Sequence, residues 1–262
     1  MRIATWNINS VRLRLPLALR LLDELRPEIL CFQETKTPDE FFPDEAFADH
    51  GYTHTHIHGM KGYNGVAIVS RIPLEAREIR HSCEKEDCRH IAATAPDGTE
   101  IHCVYVPAGG DIPDPEVNDK FAHKLRFLDE LSDWWRGARS ADRPMVLVGD
   151  LNIAPLETDV WSHKQLLDVV SHTPIEVEKM AYMQASIDWV DAVRRFVPPE
   201  QKLYTWWSYR NRDWRASDRG RRLDHIWVTP ALTGRLAAAG VVKDARDWPS
   251  PSDHVPVWID LS

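Results

Sequence analysis

No apolar run in this 262-residue chain is long enough to cross a bilayer, so there is no candidate for a membrane-spanning helix. Internal repeats and low-complexity tracts are also missing, which excludes a repeat architecture. No Pro/Gly/Ser-rich linker divides the chain. At 43% hydrophobic it can fill one large core, so residues 1–262 are expected to form a single domain. The residues from Ala108 to Asp119 are linker-like in composition, but similar apolar runs flank them, and a long functional loop is the better reading. A signal-peptide pattern is absent, which points to the cytoplasm. Cysteine is scarce. Cys31 and Cys103 lie in apolar runs and read as core, while Cys83 and Cys88, near His81 and His90, match no trusted zinc spacing. Basic charge is not in excess, and a net charge of -8 argues against a general nucleic-acid binder.

The distribution of charge says more than its sum. From Lys202 to Arg222, seven basic residues face only Asp213 and Asp218, and Tyr204, Trp206, Trp207, Tyr209 and Trp214 are interleaved among them. Basic groups hold phosphates while aromatic faces stack on bases or sugars, so this segment favours nucleic acid.

Several apolar runs end in polar residues of one kind. Met145-Val-Leu-Val-Gly149 leads into Asp150 and Asn152, and Ile29-Leu-Cys-Phe leads into Gln33-Glu34. Ile3-Ala-Thr-Trp6 ends in Asn7 and Asn9, Asp224 opens Ile226-Trp-Val228, and Asp253-His254 precedes Val255-Pro-Val-Trp258. Buried strands that each carry Asp, Glu, Asn or His at one end imply a sheet edge lined with oxygen ligands and one imidazole. In extended chain Asp150 and Asn152 share a face and are expected to aim at one point. His54, His56 and His58 would also share a strand face, and are read as surface or supporting residues.

Strands are expected near 2–7, 28–33, 52–57, 64–70, 90–95, 101–106, 144–149, 223–229, 238–243 and 255–260. Leu15, Ala18, Leu21, Leu22 and Leu25 form one helical stripe, Phe121, Leu125, Leu128, Leu131 and Trp135 another from Asp119 to Arg139. A third helix is expected over Met180 to Phe196. This pattern predicts an α/β fold, a sandwich of two packed mixed sheets with helices outside.

In order, Trp6-Asn7-Ile-Asn9, Leu30-Cys-Phe-Gln33-Glu34-Thr-Lys36, His58-Gly-Met-Lys-Gly62-Tyr-Asn-Gly65-Val-Ala, Tyr105-Val-Pro107, Gly149-Asp150-Leu-Asn152-Ile-Ala-Pro155, Leu223-Asp224 and Ser252-Asp253-His254-Val-Pro256-Val span the chain. Together they resemble the exonuclease III family of DNA-repair nucleases, in the endonuclease/exonuclease/phosphatase superfamily. The resemblance implies a four-layered α/β sandwich with its active site at one edge of the two sheets. It also implies action on abasic sites and 3′ ends of duplex DNA. Two positions depart from the family pattern: Ser10 stands where Gly is common, and Ala108 where Asn or Gln is common.

Phosphodiester hydrolysis needs a nucleophile, neutralised phosphoryl charge and help for the leaving oxygen. By the family analogy Asp150 orients and deprotonates water, with Asn152 on the same water or the phosphate. Asp224 can hold the ring of His254 against the phosphate, as carboxylates do in other hydrolases. The reverse assignment, with His254 as base and Asp150 as metal ligand or acid, stays open. Tyr105 can donate to a phosphoryl oxygen. Glu34, Asn7 and Asp253 offer oxygen, as Mg²⁺ or Mn²⁺ prefers, and Asp150, Asn152 and His254 can join a second metal position, giving one or two ions. Trp206 or Trp207 should pack on the abasic sugar, Arg210 should reach the strand, and Lys120 and Lys124 flank Phe121 where they could hold phosphates. The partner is duplex DNA, engaged by a monomer, with no membrane. The rivals are a phosphatase of small or lipid phosphate esters on the same fold and a catalytically inactive RNA-binding relative.

Overall fold

The computed structural model describes residues 1–262, with strands β1 (Arg2–Asn7), β2 (Ile29–Gln33), β3 (His54–His58), β4 (Val66–Ser70), β5 (Glu75–Ile79), β6 (His90–Thr94), β7 (Glu100–Tyr105), β8 (Met145–Asp150), β9 (Val190–Asp191), β10 (Trp206–Trp207), β11 (Gly220–Arg221), β12 (Asp224–Val228), β13 (Leu236–Val241) and β14 (Val257–Leu261). One six-stranded sheet runs β13-β14-β1-β2-β4-β3 and the other β5-β6-β7-β8-β12-β9, while β10 and β11 form a separate ribbon. Each large sheet has one parallel pair, β1 with β2 and β7 with β8, and its other pairs are antiparallel. A parallel pair needs a crossover, and the two long helices supply them. Leu15–Leu25 links β1 to β2, and Asp119–Ala138 links β7 to β8.

Side-chain alternation builds the layers. Ile3, Ile29, Ile101, Cys103, Val146, Val148, Ile226, Val228, Val257 and Ile259 meet in the core between the sheets. On the outer face of the first sheet, Ala4, Trp6, Leu30 and Phe32 receive Leu17, Ala18, Leu21 and Leu22 of the first helix. On the far side, Val104, Met145, Leu147 and Trp227 receive Phe127, Leu128, Leu131 and Trp135. Each fully buried side chain of this size contributes about 1.5–3 kcal/mol. The result is helix, sheet, sheet, helix: four layers.

The same alternation positions the polar ends. Asn7 continues the inner face of Ile3, Tyr105 that of Ile101 and Cys103, Asp150 that of Val146 and Val148, and Asp224 that of Ile226 and Val228. Each therefore comes out at the mouth between the two sheets.

Three features differ from expectation. The third long helix is Pro174–Gln184, not Met180–Phe196. Thr173 accepts from the backbone N–H of Glu176 and the Glu176 side chain reaches back, a capping box with Pro at the first turn that starts the helix early. Strand β5, charged and mostly exposed at a sheet edge, carries no apolar alternation to reveal it. Gly149, where the apolar run was expected to close, sits inside β8: at φ 144°, a Cβ there would lie 1.9 Å from the Val104 carbonyl oxygen. Ser10 has φ 84°, a conformation that suits glycine. No helix is long and apolar enough to cross a membrane.

Candidate active site

Strand register assembles the centre. Tyr105 is the parallel partner of Asp150, and Asp150 is the antiparallel partner of Asp224, so three candidate residues stand in a row across β7, β8 and β12. The first sheet supplies Asn7 at the end of β1 and Glu34 just past β2. His254 comes from the turn before β14 and is bridged to Trp206 of the ribbon.

A hydrogen-bond network fixes these groups. The Asn7 amide donates to Glu34 Oε1 and to Asp150 Oδ2, both at 2.9 Å, and so ties the two sheets together. Its oxygen accepts the backbone N–H of Asn9 at 3.1 Å. Asn7 therefore turns its N–H groups to the two carboxylates and its oxygen to the Asn9 backbone. Tyr105 donates to Glu34 Oε1 at 2.9 Å, and Lys36 pairs with Glu34 Oε2 at 2.7 Å. Asp150 Oδ1 accepts the backbone N–H of Asn152 at 2.9 Å, and Asn152 has φ 53°. That tight turn replaces the extended segment expected at 150–152. Glu34 and Asn9 share the left-handed conformation, with φ 51° and 47°; such strain persists where the surroundings over-determine it.

Asp224 Oδ2 accepts from Thr205 Oγ1 at 2.6 Å and meets His254 Nδ1 at 2.8 Å, while His254 Nε2 lies 3.6 Å from Asp150 Oδ2. Burial disfavours charge on His254, but Asp224 and Asp150 outweigh it and raise its pKa to about 10. Burial raises Asp150 to about 7, against the pull of His254 and with the push of Asp224. Burial also raises the Tyr105 hydroxyl well above its usual range, helped by Glu34 and Asp150. On Glu34, burial is overcome by hydrogen bonds from Asn7 and Lys36, and the carboxyl is held low.

The site opens into a cleft of about 650 Å³, lined among others by Glu34, Tyr105, Asp150, Asn152, Trp206 and His254. Asp253 sits at its edge, accepting Trp206 Nε1 at 2.9 Å and the Asn9 amide at 3.3 Å. Asp150, Asp224 and His254 bring three ligand atoms within 4.8 Å of one another, and no other His/Cys/Asp/Glu group does so. Cys83, Cys88, His81 and His90 are accordingly not gathered.

Of the expected DNA contacts, Trp206 and Arg210 line the cleft and Lys120 is exposed. Trp207 is not available: it is fully buried against Trp214 and Tyr204 and donates to Asp218. Lys124 is likewise fully buried, paired with Glu176 and donating to the Asn152 carbonyl at 2.8 Å, so it braces the site from behind. Thr205, which also accepts the backbone N–H groups of Leu223 and Asp224, went unrecognised, as did Trp161, Arg219 and Arg221 in the cleft wall. The arginines were visible only as part of the basic segment.

Comparison with known proteins agrees with this geometry. The model of the Endonuclease/Exonuclease/phosphatase family matches residues 4–254, and the chain belongs to that family. Within it, the chain is 30% identical to exodeoxyribonuclease III of Haemophilus influenzae over 100% of both chains. Among solved structures, an AP endonuclease from Archaeoglobus fulgidus superposes with a TM-score of 0.93 at 32% identity, covering 100% of this chain and 99% of the other. A 3′ phosphatase from Neisseria, bound to a product DNA hairpin, gives 0.90 at 32% identity with the same coverage.

Proposed function

We propose that this chain is a metal-dependent DNA-repair phosphodiesterase that incises duplex DNA 5′ to abasic sites and removes nucleotides or blocking groups from 3′ ends. The observation that carries the proposal is the convergence of Glu34, Tyr105, Asp150 and His254 on one cleft walled by Trp206, with Asp224 behind His254. Its relatives named as exodeoxyribonuclease III, AP endonuclease and 3′ phosphatase support the same chemistry.

Asp150, with a pKa of about 7, takes the proton of the attacking water, and Asn152 orients that water or the phosphate. His254, kept cationic by Asp224, donates to a non-bridging phosphoryl oxygen. This assigns the base to Asp150 and the charged partner to His254. Tyr105 stays protonated as a second donor. Four carboxylates, Glu34, Asp150, Asp224 and Asp253, face only His254 and Lys36 as cationic partners, and their hard oxygens suit Mg²⁺ or Mn²⁺. Glu34 with Asp253, Asp150 and Asn152 would hold one or two such ions, His254 adjoining the second. When bound, the metal neutralises phosphoryl charge as a Lewis acid. Trp206 packs on the abasic sugar, where an intact base would clash, and a baseless sugar is also cheaper to extrude. Arg210 and Lys120 hold the strand. On this proposal the protein works as a single-domain monomer in the cytoplasm, where four free cysteines are at home.

The test is a labelled duplex with one stable abasic analogue, incubated with Mg²⁺ and with EDTA. Metal-dependent incision 5′ to the lesion is expected. Turnover of soluble phosphate esters without DNA cleavage would overturn the proposal, as would RNA binding without hydrolysis.

A further inference from the structure

The cleft wall carries both signs of charge: the acids Glu34, Asp111, Asp150 and Asp253, and the arginines Arg210, Arg219 and Arg221. None of these three guanidiniums forms an ion pair, although Arg215 in the same segment is paired with Asp244 and Asp247, and Arg222 with Asp159 and Asp191. Arg221 and Arg222 are neighbours that point to opposite sides. Arg222 goes into the protein to meet its carboxylates; Arg221 goes to the cleft wall and forms no ion pair, Glu176 acting on it only from beyond contact distance.

Arg221 is nevertheless held in place. It stands opposite Trp206 in the β10–β11 ribbon, with its guanidinium carbon 5.4 Å from the indole centroid. Its Nη1 donates to the Val170 carbonyl at 2.9 Å and to Ser171 Oγ at 2.7 Å, while its buried Nε has no acceptor. Arg219 lies over Trp161, 4.8 Å from the ring centroid. An unpaired guanidinium in a half-buried wall is costly unless an anion arrives to meet it. The planar fork of arginine matches phosphate. Trp206 links an acid to an arginine of the wall: its Nε1 is bound to Asp253 and its face lies under Arg221.

We propose that Arg221 and Arg219 form a second phosphate subsite, which takes the phosphodiester on the 3′ side of the abasic sugar while the scissile phosphate lies at the carboxylates. The proposal rests on the nuclease reading above. With the reacting phosphate at Asp150 and His254 and the sugar against Trp206, the Arg221 guanidinium over that same indole is placed to meet the next phosphate of the strand. A 3′-terminal nucleotide with a free 3′-hydroxyl has no phosphate for this subsite, so internal abasic sites are the better substrates.

The experiment replaces single linkages by neutral methylphosphonates in the abasic duplex and compares kcat/KM. Neutralising the linkage 3′ to the abasic sugar should lower the wild-type value roughly tenfold or more, the size expected for a charged hydrogen bond. The same change three linkages further along should matter much less. Arg221→Ala should lose a similar factor on the native duplex and become insensitive to the neutral linkage. Arg219→Ala, at an exposed position, should show a smaller loss of the same kind and serves if Arg221→Ala does not fold. Wild type insensitive to the neutral linkage, or variants that keep full sensitivity, would overturn the subsite while leaving the nuclease reading standing. Absence of cleavage of the native duplex by folded wild type would overturn both.

Discussion

His254 and His225 are both nearly inaccessible, 5% and 2% exposed, yet their surroundings push them in opposite directions. His254 faces the cleft between two carboxylates and is raised to about 10. His225 lies on the other face of β12, where burial and the Arg222 guanidinium lower it to about 3. Its Nε2 meets the Ile153 carbonyl at 2.8 Å and its Nδ1 meets Arg222 Nη2 at 2.9 Å, which fits a neutral ring donating to one and accepting from the other. Asp224 and His225 are adjacent, so strand alternation sends the carboxylate to His254 and the imidazole to the opposite face, where Arg222, from the segment just before β12, turns in to meet it. Burial sets the stakes, but the partner sets the charge: cationic where phosphate is to be bound, neutral where the fold is to be held.

The contrast can be broken most severely from the cleft side. Asp150→Asn and His254→Ala should each lower abasic-site incision by about 10²–10⁴-fold. Circular dichroism and thermal melting should show both variants folded, and near-normal rates from either would end the mechanism. Asp224→Asn should cost about 10²-fold or more. It also removes the charge that sustains the His254 cation, so the alkaline limb of the kcat/KM profile should move from about pH 10 to lower pH. An alkaline limb that stays in place would mean His254 is not the group being held charged.

The other histidine is tested through stability. Its folded pKa is depressed from 6.5 to about 3, so below pH 6.5 the unfolded chain binds the extra proton first. Its contribution is complete above pH 6.5 and is lost progressively as pH falls toward 3. Urea melts at pH 7, 6 and 5 should show declining stability, with a shallower decline for His225→Gln. Equal slopes would mean His225 is not a proton-linked residue. Glu100, lowered to about 2 by His102 and Arg139 against its burial, adds loss of the same sign at lower pH. The smallest effect belongs to Trp206→Ala. Losing one stacking face should reduce the preference for abasic over intact duplex by about tenfold, with the melting temperature little changed, and an unaltered preference would remove Trp206 from substrate selection.

Local signals were legible in the sequence and long-range ones were not. The Leu15–Leu25 stripe and the apolar strands ending in Asn7, Glu34, Asp150 and Asp224 report themselves, because alternation and helical periodicity are written in neighbouring residues. The Thr173-Pro-Ile-Glu176 cap was equally local, and its pattern would have placed the third helix correctly. Burial of Lys124 depends on Glu176, 52 positions away, and a lysine beside Phe121 looks like any amphipathic helix. Trp207 and Trp206 are adjacent in an aromatic, basic segment, and only the ribbon with β11 decides which one turns inward. The row Tyr105, Asp150, Asp224 depends on register between strands, which no single segment contains.

The single amide of Asn7 reaches from one sheet to Glu34 beside it and Asp150 across from it. The centre therefore belongs to neither sheet: it exists only at their common lip. A slip of one layer over the other by a single pleat would part the acid from its neighbour while leaving every strand paired within its own sheet. Catalysis in this architecture thus gauges the mating of its two halves, and turnover should fade before the sheets themselves come undone.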